Sequence, residues 1–177
     1  MRKNQIKLVF TGNMGAGKTT AIASISEIPV INTDVLMSSG ASTDKERTTV
    51  AMDYGELTLG SGEKLFLYGT PGQQRFDYMW QILIQGGLGL IILIDNSGDD
   101  PIGDLARYLD SFHDFIQETG AVIGITHTDD APRPDLQMYY HYLQARDLQL
   151  PVFPIDARSR ESVVMLIQAL LAILEYG

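Results

Sequence analysis

Gly12-Asn13-Met14-Gly15-Ala16-Gly17-Lys18-Thr19 is the stretch that decides the fold. It matches the pattern G-x-x-x-x-G-K-[S/T] at every position. Upstream, Ile6 to Thr11 is a short apolar run that reads as a buried strand. Downstream, Lys18 to Glu27 reads as a helix that ends before Pro29. Strand, glycine-rich loop and helix together form a phosphate cradle. The glycines let backbone N–H groups converge on anionic oxygens, and the helix adds its positive N-terminal end. In that frame the backbone from Asn13 and Met14 through Gly15, Ala16 and Gly17 faces the phosphates. Lys18 reaches the β- and γ-phosphates, the Thr19 hydroxyl binds Mg2+, and Thr20 completes the nucleotide-binding set on the same turn.

Outward from the loop, short β-rich runs alternate with helical stretches. Val50 to Leu59 and Lys64 to Tyr68 read as strands joined by the turn Gly60-Ser61-Gly62, hence an antiparallel hairpin. Leu88 to Ile94, Ala121 to Thr126 and Val152 to Ile155 read as further buried strands. Helices fill Asp104 to Glu118, Asp135 to Arg146 and Ser159 to Glu175. The expectation is one α/β domain over residues 1–177, a P-loop NTPase fold. It has a mostly parallel six-stranded sheet with one antiparallel hairpin strand and helices on both faces. In such sheets the ligand sits at the carboxyl ends of the strands.

Composition narrows the function classes. A net charge of −9 argues against nonspecific nucleic-acid binding and against docking on an acidic membrane. The absence of Cys excludes disulfides, zinc–thiolate sites, prenylation and palmitoylation. Met1 to Phe10 has no signal-peptide core, and no apolar run is long enough to span a bilayer. A cytoplasmic protein without a direct membrane anchor is expected.

With these motifs in their order and spacing, the chain resembles the Ras-like small GTPases over nearly its whole length. Within them it looks most like the bacterial branch of the gliding-motility GTPase MglA and the conservon GTPases. The resemblance implies the small-GTPase fold, GTP/GDP and Mg2+ as ligands, slow hydrolysis, a roadblock-type regulatory partner and an effector that the sequence does not name. It makes Thr49 the switch I threonine near the metal, with Thr48 competing, just before the strand that starts at Val50; the polar segment from Asn32 to Arg47 ahead of it reads as a mobile loop. In Gly69-Thr70-Pro71-Gly72-Gln73, Gly72 would bond the γ-phosphate through its N–H and Gln73 would orient the attacking water. Gly69 stands where the family carries a metal-ordering Asp. Arg47 and Arg75 are candidates to offset charge in hydrolysis, with a solvated or partner-facing charge as the equal alternative for each.

Thr126-His127-Thr128-Asp129 replaces Asn-Lys-x-Asp, and the Asp129 carboxylate would accept guanine N1–H and N2–H2. Asp156-Ala157-Arg158 replaces Ser-Ala-Lys, with the Ala157 N–H toward guanine O6 and Arg158 stacked over the base. Two other classes stay open. Gly69, Thr126 and His127 suit a nucleotide-binding scaffold that barely hydrolyses. Asp95, at the end of a strand, suits an ATPase or small-molecule kinase.

Overall fold

The computed structural model describes residues 5–38, 47–73 and 77–177, with the backbone alone described over 33–38 and 47–51. Strand β1 (Ile6–Thr11) lies at the centre of a seven-stranded sheet. The others are β2 (Ile31–Ser38), β3 (Arg47–Thr58), β4 (Lys64–Gly69), β5 (Gly87–Asp95), β6 (Ala121–Thr126) and β7 (Val152–Pro154). Their order across the sheet is β2-β3-β4-β1-β5-β6-β7. Strand β3 pairs antiparallel with β2 and with β4, and the remaining pairs are parallel.

The α/β architecture is as expected, with one more strand. The additional strand, β2, occupies the beginning of the segment expected to be a mobile loop. Its polar residues Asn32, Asp34 and Ser38 masked the alternation of Ile31, Thr33, Val35 and Met37. The ladder from Ile31↔Tyr54 to Ser38↔Arg47 then satisfies the backbone groups that face β3, and tertiary pairing outweighs composition. The rest of the expected loop, 39–46, lies outside the described residues.

Among the described residues, six helices complete the fold: α1 (Lys18–Ile25), α2 (Asp77–Leu83), α3 (Pro101–Ser111), α4 (His113–Glu118), α5 (Leu136–Ala145) and α6 (Arg160–Tyr176). The expected helix Asp104 to Glu118 starts earlier, with Asp100 accepting from Gly103 N–H and Pro101 at its first position, and it breaks at Phe112. Strand periodicity divides the core between the two faces. Leu8 and Phe10 join Ile22, Ile25, Leu93, Leu166 and Leu170 under α1 and α6. Val9 joins Trp80, Ile92, Ile94, Tyr108 and Leu143 on the other face, beneath α2, α3 and α5. Among the described residues no helix is long and apolar enough to cross a membrane.

Because β1, β4, β5, β6 and β7 run in one direction, their carboxyl ends share one edge of the sheet. The loops carrying Gly12–Thr19, Thr70–Gln73, Asp95–Asn96, 127–134 and 155–158 meet there.

Candidate functional site

The loop after β1 folds as the motif requires. Gly17 has φ 100°, and a Cβ on it would lie 2.9 Å from the Ala157 Cβ, so glycine is needed for conformation and for space. Lys18 opens α1 and is buried. Its ammonium donates to the carbonyls of Gly12 at 2.6 Å and Asn13 at 2.7 Å. Burial lowers its pKa to about 8, against a smaller raising effect of the nearby Asp53 carboxylate. Thr19 and Thr20 are exposed on the first turn of α1, as is Met14 in the loop.

Next to Gly69, strand β3 supplies a carboxylate. The Thr19 hydroxyl donates to the Asp53 carboxylate. Asp53 lies in β3, opposite Gly69 at the end of β4. A Cβ on Gly69 would come within 3.2 Å of the Asp53 Cβ and 3.3 Å of its Oδ2. The side chain from β3 thus occupies the room left by the missing side chain on β4. A hydroxyl and a carboxylate side by side form a hard-oxygen donor set that suits Mg2+. Asp95 makes no such contact. Its Oδ1 accepts from Ser97 N–H at 2.9 Å and the Ser97 hydroxyl at 2.5 Å, and it lies 3.0 Å from His127 Nδ1. The sequence places Asp53 within the expected strand Val50 to Leu59 and gives it no role. Its isolation between Met52 and Tyr54 was the available signal, but register was needed to read it.

The segment after β4 presses on the cradle. A Cβ on Gly72 would stand 2.5 Å from Met14 N and 2.9 Å from Lys18 Nζ. The Trp80 indole donates to the Pro71 carbonyl at 3.0 Å and packs against Tyr108 and Phe112. The Tyr108 hydroxyl donates to Asn13 Oδ1 at 2.7 Å, and Arg107 donates to the same oxygen. This clamp from α3 onto the phosphate loop was not read from the sequence, because nothing local to Arg107 and Tyr108 marks it. Gln73 is exposed at the end of this segment. Arg75 lies outside the described residues. Arg47, Thr48 and Thr49 are strand residues of β3, with Thr49 opposite Leu36, and not residues of a preceding loop. Their side chains lie outside what is described.

Beyond the phosphate end lies a cavity of about 620 Å³. Gly15, Gly17 and Thr20 form one wall, residues 126–130 a second, and residues 154–158 the third. The two loops expected to hold the base are therefore brought to one place, beside the phosphate loop. Thr126 is buried, with its hydroxyl 3.0 Å from the Ala16 carbonyl and 3.3 Å from that of Ile94. It ties the end of β6 to the phosphate loop. His127 takes a left-handed φ of 57° and turns its ring toward Asp95. Asp129 and Asp130 are exposed at the cavity wall. Asp156 holds Arg158 in a two-point ion pair, with Nε–Oδ1 and Nη2–Oδ2 both 2.9 Å. The hydrogen bonds from Arg158 lower the Asp156 pKa to about 2.

Residues 10–129 match the family described as conserved hypothetical ATP binding proteins. The chain belongs to this family. Nucleotide binding is thereby supported. The chain is also 30% identical over 97 residues to an uncharacterized protein of Methanocaldococcus jannaschii, a stretch that is 55% of each chain. It thus spans about half the length of that relative.

The family match corrects the resemblance to MglA-like and conservon GTPases, because the matching family is a distinct, ATP-binding one. The phosphate loop and the strand–helix alternation are common to many NTPases. The base-site positions that would mark a GTPase are those where this chain departs from the Ras-like pattern, at Thr126 and His127. The basis for a roadblock-type partner goes with that kinship.

Proposed function

We propose that this protein binds a purine nucleoside triphosphate with Mg2+ and hydrolyses its terminal phosphate, with guanine as the preferred base. The observation that carries the base choice is Asp129 on the wall of the cavity that continues from the phosphate loop. A carboxylate there accepts two donors from guanine N1–H and N2–H2, whereas the same edge of adenine offers no such pair. Charge-assisted pairs of this kind discriminate between ligands that differ in their donors. Ala157 and Arg158 close the opposite wall, and Asp156 keeps the guanidinium plane fixed for stacking. The family description favours a second reading, in which the base is adenine.

At the phosphate end the backbone N–H groups from Asn13 to Lys18 bind the β-phosphate, and Lys18 turns from its loop carbonyls toward the phosphate oxygens. Thr19 and Asp53 would hold Mg2+, which supplies charge neutralisation between the β- and γ-phosphates. Gln73 orients the attacking water, and Gly72 N–H bonds the γ-phosphate. A γ-phosphate seated between Lys18 and Gly72 must displace the segment 71–73, since Gly72 already packs on Lys18 Nζ. Its arrival and loss are thereby transmitted through Trp80 to α2, which is a physical basis for a switch.

The test is calorimetric titration of GDP and ADP into wild type and Asp129→Asn. Tighter GDP binding that Asp129→Asn reduces by about tenfold or more supports guanine. Tighter ADP binding would establish the second reading. Gln73→Leu should leave binding intact and slow phosphate release, and a wild-type rate removes its assigned role.

A further inference from the structure

Beyond the cavity wall, a buried polar network joins β5, the base-side loop and α5. Asn96 follows β5 directly and is 2% exposed. Its backbone N–H donates to the Thr126 carbonyl at 3.0 Å. Its side-chain amide donates to the carbonyls of Ala131 at 2.5 Å and Pro134 at 3.1 Å. Its Oδ1 accepts from the Tyr139 hydroxyl at 2.6 Å. Tyr139 is fully buried on α5. Burial raises the pKa of its phenol, so the hydroxyl keeps the proton it donates.

These contacts fix the orientation of the amide. A hydroxyl donor on one side demands the carbonyl oxygen, and two carbonyl acceptors on the other demand the NH2. Only an amide meets both demands at once. A carboxylate would face two carbonyls without a proton, and an aliphatic side chain would leave both carbonyls and the phenol unpartnered. The two carbonyls belong to the far half of the loop that carries His127, Thr128, Asp129 and Asp130. The near half is held by Thr126 on the phosphate loop and by the Ala131 N–H bond to the His127 carbonyl at 3.0 Å. Loops without regular structure need such ties to hold side chains in a binding geometry.

We infer that Asn96, oriented by Tyr139, is a positioning residue that holds the 127–134 loop in the conformation that reads the nucleotide base. It touches neither phosphate nor base, so its effect is confined to the base-dependent part of affinity. The inference rests on the assignment of the cavity to the base.

The experiment compares magnesium pyrophosphate with GDP and ADP by calorimetry on the full chain, for wild type, Asn96→Ala, Asn96→Asp and Tyr139→Phe. For Asn96→Ala and Asn96→Asp the affinity for the tighter nucleotide should fall about tenfold while pyrophosphate affinity stays unchanged. Tyr139→Phe removes one hydroxyl without a packing change and should give a smaller loss with the same signature. It also serves if the Asn96 variants do not fold. A fall in pyrophosphate affinity parallel to that for nucleotide, or no fall in either, overturns the positioning role alone. A wild-type protein that binds pyrophosphate as tightly as nucleotide overturns the base assignment and the inference together.

Discussion

The two ends of the proposed site, one for phosphate and one for base, are built by opposite means. The phosphate end is eight consecutive residues that work mainly through backbone N–H groups and one Lys, held between β1 and α1. The base end is made of side chains from two loops far apart in the chain, tied down by Thr126 and Asn96. A backbone site tolerates little change in its glycines and helix start, so it keeps a recognisable pattern. A side-chain site can be filled by different residues with equivalent hydrogen bonds, so it need not show a fixed pattern. Thr126 makes its tie to the phosphate loop through a hydroxyl 3.0 Å from the Ala16 carbonyl.

The comparison is broken most severely at Lys18. Lys18→Met should weaken GDP and ADP alike by at least about 100-fold, since it removes the side-chain cation proposed to reach the β- and γ-phosphates. Loss for one nucleotide alone would show that the two ends are not separable.

Asp53→Asn should weaken nucleotide binding about tenfold or more in Mg2+ and leave binding in a chelator unchanged. Asp95→Asn should leave the magnesium dependence as it is. If Asp95→Asn abolished the magnesium dependence and Asp53→Asn did not, the metal would belong to β5.

Lys18 also has a pH signature. Its folded-state pKa of about 8 lies below the 10.5 of the unfolded chain. Between those values the unfolded chain holds a proton that the folded one does not, so stability rises as pH climbs from about 8 to 10.5. The gain is at most on the order of 3 kcal/mol. Urea denaturation of nucleotide-free protein across that range should show the rise in wild type and not in Lys18→Met. Equal slopes would mean that the ammonium is not desolvated.

The smallest effect is expected at the rim of the base end. Asp156→Ala releases an exposed guanidinium and should weaken nucleotide binding by about 2- to 5-fold, less at high salt. A larger loss, equal for pyrophosphate, would place Asp156 in the phosphate end instead.

From the sequence alone came the phosphate loop, the α/β class and the buried strands β5 and β6. These are set by local chemistry: glycines with positive φ, apolar runs of strand length, and turn residues between them. The loops that hold Asp129 and Ala157 were legible for the same reason, since each follows a strand that the hydrophobic pattern already places. Register and packing alone decided the rest. Strand β2 required a partner to offset its polar residues. Asp53 became a neighbour of Thr19 only because β3 runs antiparallel beside β4, opposite a glycine that leaves it room. Asn96 met Tyr139, and Asn13 met Tyr108, through helices folded back on the sheet from distant segments. Contacts of that kind leave no local mark on a sequence, because each depends on where another part of the chain comes to rest.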